Sequence, residues 1–249
     1  MRLKSSGTVS PLTKKIMKKH GKKYLEAKKL VEKEAYTLDE AISLLKKTST
    51  VKFDGSCEIH MKLGLDPTQA DQNLRTTVVL PAGTGKEVSV VAFVGDDKVK
   101  EAMAAGALMA GTGELIEKIE GGWTDFDVAI ATPDQMKALS KVAKILGQKR
   151  LMPNPKSGTV SPDVEKMISD IKKGKVELRV DKEANLHNIF GKISFDDAKL
   201  KENLKTLIKV VLDSKPASVK GTYVETMTIA GTMGPGVPLD VNSALAESK

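Results

Sequence analysis

The pattern of hydrophobic and polar positions predicts helices first and then a strand in the opening quarter of the chain. Apolar residues at helical spacing among lysines between residues 16 and 33 predict an amphipathic helix. Thr37 and Glu40 have the spacing of a capping box, in which each side chain bonds the backbone amide of the other, so a second helix is predicted to begin there. Residues 56–65 then alternate between apolar and polar side chains, which is typical of a strand that is buried on one side.

The middle of the chain predicts strands and helices in alternation. Apolar, strand-like runs occupy residues 76–80, 88–94 and 126–131. An alanine-rich segment at 97–110 and apolar positions at helical spacing after Pro133 predict helices between and after these strands. Such alternation is typical of a small parallel sheet that is covered by helices, a Rossmann-like module.

The last third of the chain has no regular alternation. Helices are predicted at 163–172 and 199–212, and short strands at 176–180, 188–193 and 222–229. Strands and helices in this irregular order favour an α+β layer.

We therefore predict an α+β split domain with an inserted α/β Rossmann-like domain, the two being joined by a two-strand hinge. Residues 24–66 plus 160–249 are assigned to the split domain, residues 67–159 to the insertion, and residues 1–23 to a basic N-terminal extension. Prolines, which fix φ and remove a backbone donor, mark both boundaries. The predicted hinge residues are Asp66, Pro67, Pro153, Asn154 and Pro155.

The net charge of +8 is concentrated at the start of the chain. Residues 1–36 hold 11 Lys and Arg against 3 Asp and Glu, which gives +8, whereas residues 67–159 hold 11 of each. Such a segment is attracted to phosphate without recognising sequence. A solvated, lysine-rich helix face and an organellar transit peptide are the alternatives, although lysine outweighs arginine here.

Several classes of protein are disfavoured by composition. A single cysteine, Cys57, rules out a disulfide framework, and three histidines far apart in the sequence give no local metal-ligand motif, so no metal or other cofactor is expected. No apolar run approaches the roughly 20 residues that span a bilayer, and no signal-peptide core is present. We expect a soluble, intracellular protein that is not an enzyme, with no membrane or small-molecule partner.

Glycine-rich turns in the middle of the chain raise a rival hypothesis of nucleotide binding. Residues 83–86 end like a phosphate loop, but Leu80 stands where its first glycine belongs and Glu87 replaces the magnesium-binding hydroxyl. Residues 111–113 begin a dinucleotide fingerprint, but Ile116 replaces the third glycine. A free nucleotide- or metabolite-binding enzyme built on the α/β module nevertheless stays open as the alternative.

Two motifs resemble a known family. The string at 151–160, with its Pro-Asn-Pro centre, and the later Thr-Met-Gly-Pro at 232–235 resemble, in order and separation, the L1 family of large-subunit ribosomal proteins. The likeness extends from about Tyr24 to Asp240. The chain departs from the family pattern at 147–150, where a Gly-Pro-Arg-Gly-like turn is expected, and carries extra lysine-rich residues before Tyr24.

The resemblance implies RNA contacts in the split domain. A flat ring beside a lysine can stack on a base or meet a phosphate, a hydroxyl can bond a 2′-OH, and glycine allows close backbone approach and a positive φ. Each of these types also has an ordinary structural role, as a core cap, a solvated turn charge or a tight turn. The matched positions are Lys52, Phe53, Asp181, Lys182, Thr226, Thr232, Met233 and Gly234.

The resemblance also implies a function. It predicts a structural constituent of the large ribosomal subunit that binds ribosomal RNA of the mobile stalk and helps deacylated transfer RNA to leave the exit site. It further implies repression of translation by binding the messenger RNA of its own operon. The expected location is cytoplasmic, on the ribosome, rather than on an organellar ribosome.

Overall fold

A computed structural model of the chain describes residues 21–69, 71–219 and 221–248. The helices are α1 Lys22–Lys29, α2 Leu38–Thr48, α3 Val99–Ala104, α4 Gly113–Glu120, α5 Met136–Leu139, α6 Ala143–Gln148, α7 Val164–Lys172, α8 Asp197–Asp213 and α9 Val241–Glu247. The strands are β1 Ser56–Leu63, β2 Arg75–Val79, β3 Val90–Phe93, β4 Met109–Gly111, β5 Val128–Ala131, β6 Lys175–Arg179, β7 Asn185–Lys192, β8 Val224–Gly231 and β9 Gly236–Leu239. Most of the basic extension at 1–23, and the start of the helix predicted from residue 16, lie outside the described residues.

An antiparallel sheet and its helices form the first body of the molecule. Its strand order is β7-β1-β8-β9, so strands from both parts of the chain lie side by side. Helices α2, α8 and α9 pack on one face and share a single hydrophobic core with it. The predicted alternation of β1 is confirmed: Cys57, Ile59, Met61 and Leu63 are fully buried, while the residues between them are partly exposed.

Helix α2 begins with the predicted capping box. The Glu40 backbone amide donates to the Thr37 hydroxyl, and the Thr37 amide donates to the Glu40 carboxylate. Two otherwise unpaired amide donors are thereby satisfied. The cap fixes where the helix starts and hence which residues, Leu38, Ile42 and Leu45 among them, face the core.

Strand β2 belongs to the first body and not to the insertion, which corrects the boundary expected at 66/67. It pairs antiparallel with β6, and Leu74, Val78 and Leu80 lie in the core of the first body. The apolar residues of β2 resemble those of the strands that follow it. Its partner strand β6, however, lies about a hundred residues further along the chain. Pairing and burial, rather than the Asp66-Pro67 break, decide to which body it belongs.

A parallel sheet of order β4-β3-β5 forms the second body. Helices cover both of its faces. Val91 and Phe93 of β3 point into one core with α4 and α6, whereas Val90 and Ala92 point into the other with α7. The molecule is thus a mixed α/β protein with separate cores.

Helix α7 packs in the second body, whereas the expected division of the chain placed it in the first. Its residues Ile168 and Ile171 pack in the second body against Val90 and Ala92. The segment before α7 adds to the edge of the parallel sheet through a bridge between Ala131 and Val160. Residues 160–172 therefore pack with the second body, although the sequence assigned them to the split domain.

The two segments that connect the bodies touch each other. The Leu80 amide donates to the Gly174 carbonyl, 3.3 Å away, and a Cβ at 174 would lie 2.7 Å from the Gly83 Cα. Both glycines have positive φ, 72° and 97°. Asn203 of α8, which is fully buried, holds the first connection: its Oδ1 accepts from the Ala82 amide and its Nδ2 donates to the Gly83 carbonyl, each at 2.9 Å.

The alanine-rich segment predicted as one helix is divided. Helix α3 ends at Ala104, because Gly106 adopts a φ of 92° and the Ala107 amide returns to the Ala102 carbonyl. Residues Met109–Gly111 then form β4 instead of continuing the helix.

Candidate nucleic-acid interface

The predicted contact residues fall into two groups at opposite ends of strand β1. Lys52 and Phe53 precede the strand, and the turn at 231–234 adjoins its first residues, since Cys57 pairs with Gly231. Thr226 pairs with Lys62 at the other end, where the turn at 181–184 also lies. Five residue steps of an extended strand, from Cys57 to Lys62, separate the two ends by about 17 Å.

The first group presents large apolar side chains to solvent. Met233 is 77% exposed and Phe53 is 59% exposed. Exposed large apolar side chains on a soluble body are unusual when they are clustered, and they are typical of a binding surface. Both side chains are free of any core role and offer flat or soft surfaces for stacking.

The turn that carries Met233 is tight. The Gly234 amide donates to the Gly231 carbonyl at 2.8 Å, and Met233 itself adopts a φ of 60°. The expectation that Gly234 holds the positive φ is wrong, because the left-handed residue is Met233. A Cβ at 234 would lie 3.2 Å from the Gly231 carbonyl oxygen, so a larger residue there would require that carbonyl to shift by a few tenths of an ångström.

The Thr232 hydroxyl has a structural task. It accepts from the Ser56 amide at 2.9 Å and donates to the Ser56 carbonyl at 3.2 Å, while the Thr232 amide also donates to that carbonyl. These bonds fasten the 231–234 turn to the start of β1. The hydroxyl that was predicted to meet RNA therefore positions Met233 instead of standing free.

The segment that carries Lys52 and Phe53 is anchored by its neighbour Asp54. The Asp54 carboxylate accepts from the Ser194 amide and from the Ser194 hydroxyl, at 3.1 and 2.8 Å. Lys192 reaches the Ser56 hydroxyl at 3.1 Å. Lys52 and Phe53 thus project from a fixed loop beside a further ammonium group, which sequence reasoning did not single out.

The second group surrounds a turn that Asp181 organises. The Asp181 carboxylate accepts from the backbone amides of Asn185 and Glu183, at 2.8 and 2.9 Å. The Asn185 hydrogen bond is the main cause that lowers the pKa of Asp181 below its ordinary value. Asp181 is therefore a turn residue, whereas Lys182 beside it is exposed and projects its charge from the tip.

An exposed sheet face connects the two groups. We call it the polar face, and its members are Glu58, His60, Lys62, His187, Ile189, Thr226 and Thr228. The sequence pattern did identify the polar side of β1, but it could not show that β7 and β8 extend that side into a continuous surface.

Two histidines stand at the centre of the polar face. His60 and His187 are directly opposite each other on β1 and β7, with their Nδ1 atoms 2.9 Å apart and their ring centroids 5.0 Å apart. Partial burial and, secondarily, the neighbouring His187 lower the pKa of His60, against the opposite effect of Glu58. Uncharged imidazole rings can stack or form hydrogen bonds with bases.

The predicted hinge residues form turns that do not belong to the two connections between the bodies. Asp66 closes a turn by accepting from the Thr68 amide and hydroxyl, and this turn leads into β2. Asn154 closes another turn, in which its carbonyl accepts from the amides of Ser157 and Thr159. Pro67, Pro153 and Pro155 belong to these same turns. The Pro155–Ser157 turn contacts β2 and so lies at the boundary between the bodies, although the chain itself passes from one core to the other at the glycines.

The glycine segment at 83–86 forms the first connection between the bodies. It leads to strand β3 and not to a helix, so it lacks the helix N-terminus on which a phosphate loop depends. Among the described residues, no group of three or more His, Cys, Asp or Glu side chains is placed to hold a metal ion. Within the same residues, no helix has the length and apolar character that crossing a membrane requires.

Comparison with known protein families gives a match to most of the chain. The family model described as Ribosomal protein L1p/L10e family matches residues 45–235. This span includes both connections between the bodies, the whole polar face and both groups of predicted contact residues.

Proposed function

The chain belongs to the L1p/L10e family of ribosomal proteins, and we propose that it binds the ribosomal RNA of the large-subunit stalk across the polar face of its first body. The family is one of structural ribosomal proteins of the large subunit. The observation that carries the proposal is the continuity of the surface: Phe53 and Met233 at one end, Lys182 and Thr226 at the other, and an exposed sheet face between them.

The chemistry of this surface suits structured RNA. Phe53 and Met233 offer stacking surfaces, Thr226 and Thr228 offer hydroxyls, and Lys182 offers a charge for phosphate. Glu58 within the polar face and Asp181 at its end keep the net charge of the surface low. A surface of this kind selects shape and unpaired bases more than it attracts polyanions in general.

The role at the exit site follows from the same proposal. In a protein held on the stalk by the polar face of its first body, the parts of the second body that do not contact the stalk RNA are available to deacylated transfer RNA leaving the exit site. Binding of the operon's own messenger RNA, and hence repression, requires only that the messenger imitates the stalk site. We propose both activities for this chain, on the support of the family and of the polar face.

A hinge between the bodies is part of the proposal. Its supports are the two connections that touch at Gly83 and Gly174, both with positive φ, and the absence of a shared core between the bodies among the described residues. Two adjacent connections favour rotation about one axis over free tumbling. The insertion would then be a Rossmann-like unit that moves as one piece, with its hinge at these glycines and not at the prolines.

A salt titration of RNA binding tests the proposal directly. Full-length protein should prefer a transcript of the large-subunit stalk over a random-sequence RNA of equal length at every salt concentration, because shape and base contacts persist when phosphate contacts are screened. A parallel titration with ATP should show no binding. ATP binding without a preference for stalk RNA would favour the rival nucleotide-binding function.

A matched pair of variants locates the surface. Thr226→Val and Thr228→Val together remove two hydroxyls from the polar face while keeping its β propensity, and should weaken stalk RNA binding. Thr76→Val on β2 and Thr206→Val on α8 make the same change outside the polar face and should leave binding unchanged. Equal affinities for both pairs would place the RNA elsewhere.

A further inference from the structure

The end of helix α6 contains an arginine where the backbone favours glycine. The Leu151 amide donates to the Leu146 carbonyl at 2.8 Å and the Arg150 amide donates to the Gly147 carbonyl at 3.1 Å, which is the hydrogen-bond pattern of a Schellman motif. Its left-handed position is Arg150, with a φ of 60°. Glycine usually holds this position in helices that end with a left-handed residue, because any Cβ is strained there.

The neighbouring β2–β6 ribbon contains a second feature that costs stability, a pair of facing arginines. Arg75 and Arg179 are direct partners across the two strands, and like charges in that relation destabilise a sheet. Arg75 is paired with Glu177, but neither Arg179 nor Arg150 has an acidic partner among the described residues. Local features that cost stability are most often found where a side chain is needed for a ligand.

Both features that cost stability border the same cavity. A space of about 510 Å³ lies between the ribbon of the first body and the end of α6 in the second, and Arg75, Arg150, Lys175 and Arg179 line it. The one acid in its wall is Glu177, which Arg75 already occupies. The wall therefore carries a net charge of +3, from four cations and one anion.

Lys175 is placed in this cavity by a glycine. Its ammonium lies 3.4 Å from the Gly158 carbonyl, and a Cβ at 158 would come within 2.6 Å of the Lys175 Nζ. The absence of a side chain at 158 is what allows the ammonium to lie there. Cations therefore line the cavity from both bodies, as a phosphate ligand requires.

We propose that this cavity is a second RNA-binding site, which takes the phosphodiester backbone and is completed by Arg150. Guanidinium groups match the geometry of phosphate oxygens, and several around one cavity suit a run of phosphates. Continuity favours RNA over a small phosphate compound, because Arg179 lies two residues before Asp181 at the end of the polar face. An RNA strand that leaves the polar face past the 181–184 turn meets the cavity next. This inference rests on the proposed RNA-binding function.

Arg150→Gly should make the full-length protein more stable but should weaken the salt dependence of its RNA binding. Removing the strained side chain should raise the melting temperature by about 2–4 °C. The same change should lower the slope of log affinity for the stalk transcript against log salt by about 0.7–0.9, the value of one phosphate contact. Arg150→Asn, which tolerates the left-handed region, should lower the slope equally.

The matched control is Lys149→Gln. It removes the same charge from the adjacent residue, whose ammonium contacts the Thr124 hydroxyl outside the cavity, and should leave the slope unchanged. A higher melting temperature with an unchanged slope in Arg150→Gly would overturn the inference while leaving the stalk-binding proposal intact. Competition by ATP or pyrophosphate that depends on Arg150 would overturn the assignment to RNA. Wild type without preference for the stalk transcript would remove both proposals.

Discussion

The two bodies of this protein use their sheets in opposite ways. The antiparallel sheet is covered by α2, α8 and α9 on one face and leaves the polar face exposed. The parallel sheet is covered on both faces, with Phe93 buried in one core and Ala92 in the other. A sheet covered on both sides has no face with which to meet a large ligand, so sheet-face recognition belongs to the first body and the second can contribute only its edges and ends.

The bodies also differ in how the chain builds them. The first is assembled from residues far apart in the sequence, whereas the second is one continuous segment that leaves and returns at adjacent points. Gly83 and Gly174 are in contact, and beside them Val79 pairs with Lys175. The second body is therefore removable in principle, provided that the cut falls at these points.

The largest expected effect is on stability, and it depends on which residues are deleted to remove the second body. Deleting residues 84–173 and joining Gly83 to Gly174 through about two to four glycines converts β2 and β6 into an ordinary hairpin. This protein should fold and unfold cooperatively in urea. Deleting residues 67–159 instead removes Leu74, Val78 and Leu80 from the core, each worth about 2–5 kcal/mol, and should abolish cooperative unfolding. Equal stability of the two deletions would refute the assignment of β2 to the core of the first body.

The next effect is on affinity. Phe53→Ala should weaken binding to the stalk transcript by about 1–3 kcal/mol if the ring stacks on one base, and should leave the melting temperature nearly unchanged because the ring is mostly exposed. Leu108→Ala is the control, since Leu108 is a similarly exposed apolar residue on the second body. If both variants bind like wild type, Phe53 is not part of the interface.

Asp181→Ala, in contrast to Phe53→Ala, should lower the stability of the protein. It removes the acceptor for the Asn185 and Glu183 amides, at a cost of about 1 kcal/mol in the free energy of unfolding. Because the pKa of Asp181 is lowered in the folded state, its contribution is present above the unfolded value and is lost as the pH falls through the folded pKa. Urea unfolding at pH 7 should therefore separate wild type from variant, and the difference should shrink progressively as the pH falls below about 4. Asp71→Ala, which removes an exposed acid, should match wild type throughout.

The smallest effect concerns His60. Its folded pKa lies below its ordinary value, so the folded state takes up a proton less readily than the unfolded chain does. Stability should decline slightly as the pH falls below about 6.5, and His60→Gln should reduce that decline. An NMR titration checks the premise, and a His60 ring that titrates above its ordinary value would contradict it.

Local patterns predicted the local parts of this structure. The Thr37 and Glu40 spacing located the start of α2, and alternation located β1 together with its buried side. Gly106 was the missed signal in the alanine-rich segment, because its positive φ ends α3 and frees Met109–Gly111 to become β4. Helix propensity favoured continuing that helix, and tertiary pairing with β3 prevailed.

Nonlocal pairings were beyond the sequence pattern. Nothing in the texture of β2 distinguishes a strand that pairs with β6 from one that joins the parallel sheet. The facing of His60 and His187 depends on which strands are neighbours and in what register. The motif residues can be named from the sequence, but Thr232 and Asp181 are occupied by turns, which only the hydrogen-bond partners reveal.

Asn203 holds the start of the first connection, at Ala82 and Gly83, but not the residues that follow. Its buried amide holds Ala82 and Gly83 to α8 and also donates to the Phe190 carbonyl, so pulling this segment away would strand several polar groups in a dry core. Backbone amides up to Ala82 should therefore exchange with deuterated solvent only when the first body opens as a whole. Amides from residue 84 onward are not held by Asn203, so they should exchange at rates that are set by the stability of the second body. The Ala82 amide proton is thus a natural reporter of the first body's global stability within the segment that joins it to the second.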